Sequence, residues 1–342
     1  MIRESIQAVI AGVGVKGQKT TILTAIPGGQ SEHDRRIAEK LKRELGPMVC
    51  GFLEDPTVIE IMLNPDGTLW VERLGEPMEC VGTMPPSQAE SLMGTVASTL
   101  KTHITAQAPI LECELPLDGS RFEALLPPVV SGPTFTIRKK ALKIFTLADY
   151  VDSGIMTEAH CAAIQGAVRN RRNIVVVGGT GTGKTTLTNA IIQYMTVVAP
   201  QDRLAIIEDT GELQCSAKNA VTMRAVAHVD MTQLLKATMR LRPDRIIVGE
   251  VRDGSALALL KAWNTGHPGG VATVHANSAP AGLIRIEQLV AEATQAPMQA
   301  LISEAVDLIV AIEKTATGRR VKEVVTVSDH DGTRYITTPI ED

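Results

Sequence analysis

The run Gly178-Gly179-Thr180-Gly181-Thr182-Gly183-Lys184-Thr185-Thr186 holds the densest chemistry in this 342-residue chain. Its spacing fits G-x-x-x-x-G-K-[ST], in which glycines let backbone N–H groups curl around phosphate oxygens. Lys184 is placed to neutralise the outer phosphates of a nucleotide, and the Thr185 hydroxyl to ligate Mg²⁺. Acids and histidines elsewhere must decide what is done with those phosphates. Leu241 to Glu250 reads as a strand ending in an acid, and a carboxylate there can hold the Mg²⁺ shell or orient an attacking water. Ile206 to Glu212 is a second apolar run ending in acids. Glu208, Asp209 and Glu212 are open to a metal or water-positioning role, or to a solvated turn. His267 and His275 stand on either side of another short apolar run. A histidine at a strand end can follow the γ-phosphate by hydrogen bonding, whereas the ordinary fate of a histidine in such a run is a satisfied core hydrogen bond. No third ligand at suitable spacing argues for a metal there.

These residues need a frame. Ile174 to Val177 reads as a buried strand entering the glycine loop, and Thr185 to Tyr194 as the helix leaving it. Asn173–Val177, Leu204–Glu208, Arg245–Gly249 and Val271–Val274 are short apolar runs separated by helical patterns at 184–199, 230–241 and 253–265. Such alternation predicts a parallel sheet with crossover helices, and the run ending in Glu208 is expected beside the glycine loop. Val321–Val327 and Arg334–Thr337 are expected as a strand pair closing one edge. Before this lies a smaller α+β region. A helix is expected from Ser31 through Ile37, Leu41 and Leu45, and a second from about Ser87 to Thr105. Strands are expected at Val58–Leu63 and Thr68–Arg73 around the Asn64-Pro65-Asp66-Gly67 turn, and at Leu111–Leu115, Arg121–Leu126 and Phe135–Arg138. The division is therefore a flexible segment over 1–30, an α+β domain over 31–138, a linker over 139–156 and an α/β domain over 157–342.

Composition narrows the function. With 34 basic against 38 acidic residues the formal net charge is −4, which lacks the basic surplus of a protein that neutralises nucleic-acid phosphates. Two Trp, three Tyr and four Phe leave little for stacking single strands, so direct nucleic-acid binding is disfavoured. Cys50, Cys80, Cys113, Cys161 and Cys215 are widely spaced and form no C-x-x-C pair, as expected of free thiols in a reducing cytosol. The longest uncharged stretch, Ala262 to Ile284, is broken by Asn264, His267, Pro268 and Pro280 and is not a membrane span.

Taken in order, GGTGTGKTT (178–186), IIEDTGELQ (206–214), LRPDRIIVGEVRDGSALALLKAWNTGHPGG (241–270) and VATVHANS (271–278) resemble the Walker A, Asp, Walker B and His boxes of the type II and type IV secretion traffic ATPases. The resemblance covers about 155–315, and LPLDGSRFEALLPPVVSGPTFTIRK (115–139) looks like the end of that family's N-terminal domain. The short chain and GHPGGVATVHANSA look most like its conjugative-transfer members.

The resemblance implies a RecA-like ATPase domain behind a smaller N-terminal domain, assembled as a homohexamer with ATP and Mg²⁺ between the two. It makes Glu250 and Glu208 catalytic candidates, His275 the γ-phosphate sensor, and Arg121 and Arg138 the arginines lent by the N-terminal domain. Arg240 and Arg242 are implied as intersubunit partners. The expected role is an ATP-hydrolysing motor for conjugative DNA transfer or type IV secretion. Its partners would be other secretion components at the cytoplasmic face of the inner membrane. A pilus retraction motor, a RecA-type DNA translocase and a nucleotide-cemented scaffold are the competing roles. The four-cysteine metal insertion of type II members has no counterpart here.

Overall fold

The computed structural model describes residues 32–341 apart from 74–75, 141–143, 227 and 316–317; the segment expected to be flexible, 1–30, lies outside the described residues. In chain order the first half contains α1 (Glu32–Glu54), β1 (Val58–Leu63), β2 (Thr68–Arg73), β3 (Glu79–Thr83), α2 (Pro86–Thr99), β4 (Ile110–Glu114), β5 (Arg121–Leu125) and β6 (Thr134–Arg138). It continues with α3 (Leu147–Asp152), α4 (Glu158–Arg169), β7 (Ile174–Gly178), α5 (Lys184–Val198), β8 (Leu204–Glu208), β9 (Ala220–Arg224), α6 (Met231–Thr238) and β10 (Arg245–Val248). The remainder is α7 (Ser255–Asn264), β11 (Val271–His275), α8 (Ala279–Ala291), α9 (Gln299–Ala305), β12 (Leu308–Thr315), β13 (Gly318–His330) and β14 (Tyr335–Pro339).

The first six strands form an antiparallel sheet in the order β3-β2-β1-β6-β5-β4. The β1–β2 turn closes at Gly67, whose φ of +84° suits a residue without a side chain, and Asp66 accepts from the Thr68 N–H at 2.9 Å. Alternate residues of β5 and β6 are buried: Phe122, Ala124, Phe135 and Ile137 meet Leu41, Leu45 and Leu92 of the two helices. The opposite sheet face therefore carries Arg121 and Arg138, which are register partners across β5 and β6.

The second sheet runs β14-β13-β12-β7-β11-β10-β8-β9. β12, β7, β11, β10, β8 and β9 are mutually parallel, and the β12–β13–β14 meander closes one edge. All residues of β7, β8 and β10 are buried, because helices cover both faces. α3, α4 and α5 pack on one side, through Tyr150, Ile164 and Leu187; α6 to α9 pack on the other, through Leu235, Trp263, Leu283 and Ile302.

Three expectations need correction. β8 is not the neighbour of β7, since β10 and β11 insert between them, and the strands beside the glycine loop are β11 and β12. The second helix stops at Thr99, where Lys101 turns at φ +56°. The edge strands β3 and β9, whose residues are mostly half-buried or exposed, and the buried strand β12 were not expected.

Candidate functional site

The glycine loop joins β7 to α5, and its geometry demands glycine at 178, 181 and 183. Gly181 and Gly183 adopt φ of +70° and +97°, and a Cβ on Gly178 would lie 2.5 Å from the Ile312 carbonyl oxygen. Turning there leaves the first amides of α5 pointing out of the helix end, an arrangement that attracts anions. Thr185 and Thr186 are half-buried in its first turn, Thr180 is exposed, and the buried Thr182 hydroxyl donates to the Gly179 carbonyl at 3.0 Å.

Lys184 reaches back across this loop. Its Nζ donates to the carbonyls of Gly178 at 3.0 Å and Gly179 at 2.9 Å, and lies 3.3 Å from His275 Nδ1. Burial lowers the Lys184 pKa, and the nearby Glu250 charge opposes that shift. His275 closes β11, opposite Gly178 in register, so strand pairing alone sets it beside the loop. Burial and the Lys184 ammonium lower its pKa from the ordinary 6.5, which leaves the ring neutral at pH 7. A neutral ring accepting from Lys184 at Nδ1 carries its proton on Nε2.

Glu250 follows β10 at the carboxyl edge of the sheet. The strand end is fixed by Thr273 Oγ1 donating to the Gly249 carbonyl at 2.7 Å and by Val251 N–H donating to the Thr273 carbonyl at 2.9 Å. Glu250 Oε2 accepts from Arg252 Nη2 at 2.8 Å, and Arg252 Nη1 also pairs with Asp209 at 3.0 Å. Glu250 Oε1 is 2.7 Å from His275 Nε2, yet the contact is not aligned as a hydrogen bond and this buried oxygen accepts none. A buried carboxylate oxygen without a donor is suited to a cation or a water molecule. With the half-buried Thr185 at the helix start, the donor set fits Mg²⁺.

Glu208 has a different neighbourhood. It is 3% exposed, and its Oε2 accepts the Leu213 N–H at 3.0 Å, closing the turn that follows β8. Burial raises its pKa and those turn amides lower it, with a net upward shift. Gly249 leaves room for it, since a Cβ there would stand 3.0 Å from the Glu208 Cβ. His267 sits at the other end of β11, with Nδ1 2.9 Å from the Pro243 carbonyl, a local structural bond. Arg240 and Arg242 lie before β10, at the strand end away from the glycine loop.

Arg121 and Arg138 remain with the first sheet, paired with Glu112 at 2.7 Å and with Glu60. The structure thus brings Lys184, His275 and Glu250 together, while the two arginines pair within the first sheet and Arg138 also feels the Glu212 charge. Four neighbours were not singled out from sequence. Arg252 holds Glu250 and Asp209. Asn189 joins α5 to the turn after β8, through the Glu212 carbonyl at 3.2 Å and the Gln214 N–H at 2.9 Å. Arg224 donates to the Asp209 carbonyl at 3.1 Å and pairs with Glu114 of the first sheet at 3.0 Å. Arg319 reaches the Gly181 carbonyl from β13. The proximity of Arg252 to the Walker B-like acid was a usable signal; the other three depend on long-range packing.

Comparison with known proteins agrees with this architecture. The model of the family described as type II/IV secretion system protein matches residues 49–325. The chain is 56% identical over 302 residues to the conjugal transfer protein TrbB of Rhizobium radiobacter, spanning 88% of this chain and 94% of that protein. It is 29% identical over 326 residues to the type IV secretion system protein VirB11 of Bartonella henselae, spanning 81% and 90% respectively. The X-ray structure of the Yersinia pseudotuberculosis ATPase DotB superposes with a TM-score of 0.59 at 18% identity, over 86% of this chain and 80% of that one, a likeness of fold. Among the described residues, no helix is long and apolar enough to cross a membrane.

Proposed function

The chain belongs to the type II/IV secretion system protein family, and from that premise we propose that it is the ATP-hydrolysing motor of a conjugative type IV secretion channel. The observation that carries the catalytic part of the reading is the contiguous set Lys184, His275 and Glu250 at the end of the glycine loop. The 56% identity to a conjugal transfer protein supports the conjugative assignment over a pilus retraction motor.

In this reading the loop amides and Lys184 hold the ATP phosphates, and Thr185 would hold Mg²⁺ with Glu250 reaching it through a water molecule. When bound, Mg²⁺ would neutralise charge on the β- and γ-phosphates. Glu250 orients the attacking water and takes its proton as the bond from the γ-phosphorus to the β–γ bridging oxygen breaks. Glu250 suits this better than Glu208, whose carboxylate is engaged by the turn after β8. Neutral His275, between Lys184 and Glu250, responds to loss of the γ-phosphate. Arg121 and Arg138 are the arginines that the α+β domain (31–138) brings to the phosphates when it turns about the linker (139–156) toward the ATPase domain (157–342). The sheet face they share, opposite the helices, supports that role. The working form is a homohexamer at the cytoplasmic face of the inner membrane, held there by other secretion components.

Steady-state ATP hydrolysis over a range of protein concentrations, with and without single-stranded DNA and with Lys184→Ala as the blank, tests the proposal. Turnover that rises with assembly and ignores DNA is expected. Strong stimulation by DNA would replace the motor with a translocase, and absence of turnover at every concentration would replace it with a scaffold.

A further inference from the structure

We propose that Arg319 is a nucleotide-binding residue, acting on the diphosphate part of the nucleotide from the flank of the glycine loop opposite His275. The inference rests on the reading of that loop as an ATP site and adds a residue that lies outside the four resembling segments.

β7 has two neighbours, β11 and β12. β11 brings His275 to the side where Lys184 and Glu250 gather. β12 turns into β13, whose second residue is Arg319, and β13 is anchored there by the Val321 N–H donating to the Ile155 carbonyl at 2.7 Å. Arg319 lies along the loop itself. Its Nη2 is 3.4 Å from the Gly181 carbonyl, and its Cδ would be 3.1 Å from a Cβ on Gly183. A side chain at 183 would crowd the arginine stem, and the φ of +97° there suits glycine.

Its bonding is incomplete. Arg320, next in sequence, pairs with Glu313 at 2.7 Å. Among the described residues Arg319 meets a carbonyl at long range, and its buried Nε has no hydrogen-bond partner. A guanidinium always carries its charge and presents donors in a fixed plane suited to phosphate oxygens. Glycine-loop amides cradle the α- and β-phosphates while the loop lysine reaches toward the γ-phosphate. A cation beside Gly181 and Gly183, away from His275 and Glu250, therefore serves the portion that ATP and ADP share.

The test compares Arg319→Gln, Arg319→Ala and Arg319→Lys with the wild-type chain, titrated with Mg·ATP and Mg·ADP by calorimetry and followed by thermal melting with and without each nucleotide. Arg319→Gln and Arg319→Ala should weaken ATP and ADP by a similar factor, about 10-fold or more for loss of a charge-assisted contact. KM for ATP should rise by more than kcat falls, and Arg319→Lys should recover part of the affinity. The inference fails if both nucleotides bind within about twofold of wild type, a change too small for a charged hydrogen bond. It also fails if melting without nucleotide drops while the nucleotide-induced shift is unchanged, which would make Arg319 a brace for the loop. Failure of the wild-type chain to bind either nucleotide would instead remove the ATP-site reading on which the inference rests.

Discussion

At the level of single residues, burial shifts the pKa of two titratable groups of the candidate site, Lys184 and His275, downward. Lys184 is 8% exposed, so on the proposed reading its ammonium would act on a nucleotide phosphate with little competition from water. Lys184→Ala should lose nucleotide binding by at least about 100-fold, as removal of a buried charged donor implies, and titration with a fluorescent ADP analogue would show it. Glu250→Gln keeps the shape but removes the proton acceptor. We expect ATP to bind and turnover to fall by about 10²–10⁴-fold, the usual range for a positioned base. Undiminished turnover would transfer the role to Glu208. His275 supplies a pH signature. Its folded pKa is below 6.5 because of burial and Lys184, so as pH falls through and below 6.5 the unfolded chain takes up this proton first. Stability should consequently decline on that acid side by an amount that His275→Gln removes, as read from urea midpoints between pH 7.5 and 5.

At the level of elements, the loop is held by close packing between strands. β12 lies so near the end of β7 that Gly178 has no space for a side chain: Ile312 O and Thr182 Oγ1 are each 2.5 Å from where a Cβ would be. Gly178→Ala should lower stability by about 1–3 kcal/mol through overpacking and reduce nucleotide affinity with it, checked by denaturant melts and ADP titration. The same tightness recurs at the start of β11. A Cβ on Gly270 would fall 2.2 Å from both the Ile246 carbonyl oxygen and Trp263 Nε1, which are themselves hydrogen-bonded at 3.1 Å. Here glycine is required by the approach of a neighbouring strand and helix, not by its own turn.

Over the whole molecule, a line of charges joins the two sheets. Lys140 and Arg224 share Glu114 of β4, Arg224 also holds the Asp209 carbonyl, and Asp209 pairs with Arg252, which holds Glu250. Glu114 and Arg224 are about one-third exposed, so the bridge is worth little as stability, roughly 0.2–1 kcal/mol. Its expected value is positional. Glu114→Gln should leave the melting temperature nearly unchanged while altering turnover and its salt dependence, measured as ATPase rate from 50 to 500 mM salt. Equal rates and equal salt curves would reduce the bridge to a surface contact.

What the sequence determined by itself is local. Residues 178–186 fit the pattern of a phosphate loop, in which glycines, lysine and threonine must be adjacent for that chemistry. The strands Val58–Leu63, Thr68–Arg73 and Leu204–Glu208 were legible to the residue, being apolar or alternating runs bounded by turn residues. Glu250 and His275 were legible as strand-end groups, and the family resemblance raised them above their neighbours. Tertiary structure decided the rest. Strand order depends on which crossover inserts where, so periodicity could not reveal that β11 and β12, not β8, lie beside the loop. The polar edge strands β3 and β9 take shape from pairing with a neighbour, a signal absent from their own composition. Arg319 stands more than a hundred residues from the loop in sequence and reaches it through the pairing of β12 with both β7 and β13. Distance along the chain carries no information about such a meeting until the sheet has formed.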